Sequence, residues 1–166
     1  MNVEEQIEYD LDQLTKYYEL VSERFQKVPE WSYFQSSARY SIVIDIYGCL
    51  EFWLKKICDM RMKSAHLVLS HTEIRGNNGL AAFNKYLKQV AGIDMSKVTR
   101  QYQGLQDLRK IRNLIVHHGA HIGDDNNEVK NIRGIRIFTS LVGIEKIFIK
   151  EAFDNTKDFL VHASRN

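Results

Sequence analysis

Ile42 to Ile57 reads IVIDIYGCLEFWLKKI, and wound as a helix it is apolar on nearly every side. A helix of that kind has no face to give to water, so it is expected at the centre of the fold, covered by others. It extends into a longer segment that starts near Trp31 or Ser32, with Ser32 as N-cap, and ends between Arg61 and Ala65. Glu51 stands out between Leu50 and Phe52, Trp53 and Leu54. A carboxylate buried there needs a partner. It either pairs with Arg112 or Arg109 or turns to solvent.

Outward from this centre, the helical period recurs. Val3, Ile7, Leu11, Leu14, Tyr18, Val21 and Phe25 fall at three- and four-residue steps, giving one apolar face from Val3 to Gln26. Pro29 is expected to close that helix. Ser70 to Gly79 (SHTEIRGNNG) has the composition of an exposed loop. A short helix is expected over Leu80 to Val90, ending about Gly92, and a longer one over Lys97 to His118, capped by Ser96 and stopped by Gly119. Gly123 to Asn127 is a turn cluster. Val129 to Phe138 alternates apolar and basic residues, as a short hairpin or irregular arm would. The last helix is expected over Leu141 to His162. With no internal repeat or linker, residues 1–166 predict a single all-α domain: an up-and-down bundle of four to five helices, with the arm before the last one.

Composition narrows the function classes. Hydrophobic residues make up 44% and charged residues 27%, the balance of a globular chain rather than a disordered one. The 23 basic and 21 acidic residues leave a formal charge of +2, which argues against a broad electrostatic nucleic-acid surface and in favour of a small local site. Cys49 and Cys58 lie in the apolar helix and read as free buried thiols. The acidic start MNVEEQIEYD has no apolar signal region, and no apolar run approaches the roughly 20 residues that cross a bilayer. The expectation is a cytoplasmic, reduced protein away from membranes.

The chemistry concentrates in LRKIRNLIVHHGA, Leu108 to Ala120. At about 100° per residue, Leu108, Ile111, Leu114 and Ile115 cluster on one side and belong in the core. Arg109, Asn113 and His117 form a polar stripe at i, i+4 and i+8, flanked by Arg112 and Val116. Arginine grips phosphate through paired hydrogen bonds, and histidine exchanges a proton near neutral pH. The stripe therefore suits a phosphate-facing site. His117, His118 and His121 do not make a zinc set, because adjacent histidines on a helix diverge.

Arg112, Asn113, Leu114, Ile115, Val116 and His117 resemble the signature of the HEPN family of small helical ribonucleases and RNA-binding domains: an Arg, four to six residues, then a His, often with Asn after the Arg. The position near the end of a penultimate long helix is similar too. The resemblance implies a homodimer in which two such segments face each other across a cleft. It implies His117 as general base on the ribose 2′-hydroxyl and Arg112 as the stabiliser of phosphoryl charge. Asn113, Arg109, Glu51 and His118 would support them. The products would be a 2′,3′-cyclic phosphate and a 5′-hydroxyl, with no metal or cofactor. In relatives that serve as toxins or antiviral effectors, a partner protein restrains the activity, in many cases by modifying a Tyr two residues after the His. Here that position is Gly119, which offers no hydroxyl.

Plainer roles exist for the same residues. His117 suits a helix end, where an imidazole meets free carbonyls and the negative end of the dipole. His118 falls nearer the core side and suits capping or packing. Arg112 suits an ion pair. Tyr33, Phe34, Tyr40, Tyr47, Phe52 and Trp53 recur at helical spacing and read as core rather than base-stacking residues. An RNA- or nucleotide-binding module without catalysis, or a structural protein dimerising through the Arg109, Asn113 and His117 face, would use the same stripe.

Overall fold

Asn2 opens the first helix with a reciprocal cap: its side chain accepts from the Glu5 amide, and the Glu5 carboxylate accepts from the Asn2 amide. A computed structural model describes residues 1–27, 31–74, 79–123 and 127–165. Helix α1 spans Val3–Phe25 and buries Ile7 and Leu11, the face that the periodicity predicts. Pro29 and Gly76 lie outside the described residues, as do positions 124–126 of the expected turn cluster.

Helix α2 spans Trp31–Ser64 and is the central element. It packs against α1, the penultimate helix and the last helix. Ile42, Val43, Ile46, Leu50, Leu54 and Ile57 along it are almost fully buried. The helix has already begun at Trp31, so Ser32 sits inside its first turn and is not the N-cap. Its carbonyl instead accepts a hydrogen bond from the Ser36 hydroxyl. Cys49 and Cys58 are free thiols, the first half-buried and the second buried.

A 3-10 turn over His71–Glu73, capped by Ser70, interrupts the expected loop. Helix α3 (Leu80–Gln89) follows. Helix α4 spans Thr99–His118 and enters from a 3-10 turn, Met95–Val98. The cap of that turn is Asp94, whose carboxylate accepts from the Ser96 amide, so Ser96 is not the capping residue. Gly119 ends α4 in the left-handed region at φ 58° and ψ 34°, as its place in the sequence predicts.

Strands β1 (Ile135–Phe138) and β2 (Leu141–Ile144) form an antiparallel hairpin with Ile135 opposite Ile144 and Phe138 opposite Leu141. The hairpin lies later in the chain than expected. Asn127–Val129 is a 3-10 turn, and Leu141 to Ile144 forms the second strand rather than the start of the last helix. The reason is tertiary. The Tyr40 hydroxyl donates to the Val142 carbonyl, and the Arg39 guanidinium donates to the Ile144 carbonyl at 2.7 Å, so α2 holds β2 extended. Helix α5 then spans Lys146–Ser164 and lies against α1, α2 and α4. The fold is thus a mostly helical bundle with one short hairpin before the final helix. No helix among the described residues is long and apolar enough to cross a membrane.

Candidate functional site

Helix α4 is fixed by Leu105, Leu108, Ile111 and Leu114, all buried. Ile115, expected beside them, is only half-buried. The end of the helix is pinned twice. The Gly119 and Ala120 amides both donate back to the Leu114 carbonyl. The Ala120 carbonyl then accepts from the Val142 amide at 2.9 Å, and His121 bridges to Leu141. The turn carrying His117 and His118 is therefore tied to the hairpin.

Arg112 is half-buried and faces α2. Its Nη1 donates to Asn113 Oδ1 at 3.0 Å, and its guanidinium carbon lies 5.5 Å from the centroid of the Tyr47 ring. Tyr47 is only 3% exposed. Burial pushes its phenol up to about 12, the nearby Glu51 carboxylate adds to the rise, and the Arg109 and Arg112 guanidinium groups oppose it. Arg109, Arg112, Glu51 and Tyr47 thus form one polar cluster in the seam between α2 and α4. The Glu51 carboxylate stands beside the Tyr47 hydroxyl and helps to hold its proton on. Among the described residues it makes no ion pair with either arginine within 4 Å.

His117 opens elsewhere. With Lys110, Asn113, His118 and Glu128 it lines a cleft of about 380 Å³ beside the 3-10 turn Asn127–Val129. Lys110 lies 3.4 Å from Asp107 and 3.6 Å from Glu128. Both His117 and His118 are exposed, so His118 does not lie on the core side as its helical angle suggests. Gly119 turns the chain away directly after it and removes the cover. His121, also exposed, has Nδ1 3.2 Å from the Ser140 hydroxyl.

The expected site is therefore brought together in two parts. Arg109, Arg112 and Glu51 meet at Tyr47, and His117 and His118 meet over the second cleft. Asn113 belongs to both, holding Arg112 with its amide oxygen while lining the histidine cleft. Tyr47, Lys110 and Glu128 escape a reading of the sequence. Tyr47 had a signal, since a phenol on a buried helix needs a hydrogen-bond partner and Glu51 follows four residues later. Glu128 had none, because only the tertiary fold carries it to α4.

Among the described residues, no group of three or more His, Cys, Asp and Glu side chains is arranged to hold a metal ion. No protein-family model, no curated protein and no solved structure matches the chain.

Proposed function

We propose that the protein is a metal-independent RNA endonuclease of the HEPN type, active as a homodimer in which Arg112 of one copy works with His117 of the other. The observation that carries this reading is the disposition of the two side chains on α4. His117 stands exposed at the mouth of a cleft with Lys110 and Asn113, while Arg112 is held in a fixed pose by Asn113 and Tyr47. Within one ideal helix they diverge by about 140°. A second copy facing the first lets each arginine meet the histidine it cannot meet at home.

His117 in its neutral form takes the proton from a ribose 2′-hydroxyl. The 2′-oxygen attacks the adjacent phosphorus, and the bond to the 5′-oxygen breaks. That oxygen takes a proton from water and leaves as the 5′-hydroxyl of one fragment, and the other fragment keeps a 2′,3′-cyclic phosphate. Arg112 faces the negative charge that grows on the phosphoryl oxygens, and Lys110 adds a second cation on the His117 side. A cytoplasmic toxin or antiviral role, with a protein partner restraining the activity, belongs to the same proposal by resemblance alone.

A non-catalytic module that binds RNA or nucleotides is the second candidate. It is favoured by the Arg112 guanidinium, which is already engaged by Asn113 and Tyr47 and does not line the cleft that His117 lines. Purified protein incubated with mixed RNA in excess chelator separates the two. The nuclease leaves cyclic-phosphate ends, and His117→Ala abolishes them. A binding module retains RNA with salt-dependent affinity and leaves it intact.

A further inference from the structure

A cleft of about 560 Å³ lies between α2, the 3-10 turn His71–Glu73 and α3, outside both halves of the site described above except for Glu51. Its volume is that of a small-molecule pocket. Four of its lining side chains are chemically distinct: Glu51, Phe52, Lys55 and His71.

Phe52, expected in the core from its helical spacing, is instead 57% exposed because its side of α2 is left uncovered, and it presents an aromatic ring along the wall of the cleft. The Lys56 ammonium lies 5.5 Å from its centroid. His71 is the opposite case. Its side chain is only 10% exposed, its ring stacks on Phe83 with centroids 5.0 Å apart, and Nδ1 lies 3.5 Å from the Asp59 carboxylate. With Asp59 on the Nδ1 side, Nε2 is the nitrogen left to serve a ligand. The Glu51 carboxylate and the Tyr47 hydroxyl both face Gly79, where a Cβ would lie 3.8 Å from Glu51 Oε1 and from Tyr47 Oη. Among the described residues, Lys55, one turn beyond Glu51, forms no ion pair with it within 4 Å, so the cleft presents a cation and an anion side by side.

We infer that this cleft binds one guanine nucleotide unit. The aromatic ring of Phe52 stacks the base, and base–aromatic stacking is a general device of single-strand binding. The Glu51 carboxylate accepts from the two adjacent N–H donors on the guanine edge, a bidentate geometry that uracil, cytosine and adenine do not offer it. Lys55 and His71 Nε2 serve the phosphate. Glu51 joins this cleft to the Tyr47–Arg112 cluster, so a base seated here places its strand beside the arginine of the proposed nuclease. The inference rests on that function for the strand, but not for the nucleotide.

The test uses the His117→Ala chain, so that RNA survives whether or not the wild type cuts it. GMP, AMP, CMP and UMP are titrated while the amide resonances of Phe52, His71 and Gly79 are followed by NMR. GMP is expected to saturate those shifts and to bind about tenfold tighter than UMP, Phe52→Ala to weaken it about tenfold, and Glu51→Gln to erase the preference for GMP over UMP. Phe52 is exposed, so its truncation leaves the core intact. A short unstructured RNA with a single G then competes with GMP. Displacement assigns the cleft to the strand, whereas GMP binding without displacement assigns it to a free nucleotide and overturns the link to the nuclease. Absence of saturable shifts at these residues overturns the site itself, as does equal binding of GMP and UMP that Glu51→Gln leaves unchanged. Loss of RNA cleavage by the wild type would strike the nuclease without touching this result.

Discussion

Tyr47 carries a hydroxyl on a helix whose other buried side chains are nearly all hydrocarbon, and that hydroxyl is the hinge between Glu51 and the two arginines of α4. Its removal in Tyr47→Phe takes away the polar neighbour of Glu51 in the seam, and a loss of about 1 kcal/mol in unfolding free energy is expected by denaturant titration. The same phenol gives a pH signature. In the unfolded chain it loses its proton near 10.0, and in the fold it is held up to about 12. Between those values the unfolded chain binds fewer protons than the native one, so stability falls as pH rises through this window. The fall measured for the wild type should exceed that of Tyr47→Phe. The cysteines supply a second check at the same scale. Burial raises Cys49 to about 11 and Cys58 to about 12, so few thiolates exist at pH 8. A disulfide exchange reagent at that pH should label the native protein slowly and both thiols at once when denaturant is added.

The elements differ in how far they follow from local sequence. Helices α1 and α4 were legible because each buries a face repeating at helical steps, α2 because its middle is apolar on nearly every side, and Gly119 marked the end of α4. The hairpin was half legible. The alternation in Ile135–Phe138 is local, but Leu141–Ile144 runs directly into the apolar period of α5 and reads as helix on its own. What makes it a strand is the grip of Arg39 and Tyr40, about a hundred residues earlier in the chain. Two glycines test the junctions that result. Gly119 has φ 58° and nothing nearer than 3.9 Å to an added Cβ, so Gly119→Ala costs only the left-handed backbone, about 1 kcal/mol. Gly134 has φ 77°, and a Cβ there would lie 2.8 Å from the Phe148 backbone nitrogen. Gly134→Ala should therefore destabilise more than Gly119→Ala, and it should loosen the entry to α5 as seen by faster amide exchange at Phe148. Equal midpoints for the two variants would contradict this account of the hairpin.

In the whole molecule, α2 serves as core and as one wall of the functional surface. Its buried side positions α4, and its exposed Phe52 and its Tyr47–Glu51 pair look toward the clefts. The arginine half of the candidate site was foreseeable from Arg109, Arg112 and Glu51. The division between that half and the His117 cleft was foreshadowed only by the helical angle, because the wall that Glu128 adds to that cleft and the turn of the chain at Gly119 are tertiary facts. This division makes the two-chain arrangement the central claim, and complementation tests it most directly. Arg112→Ala and His117→Ala proteins, each inactive alone, are mixed, unfolded and refolded together, and assayed for chelator-resistant RNA cleavage. Half of the resulting dimers are mixed and carry one intact composite site of two, so about a quarter of wild-type activity should return. A mixture as silent as its parents, beside an active wild type, would place Arg112 and His117 in one chain and contradict the account.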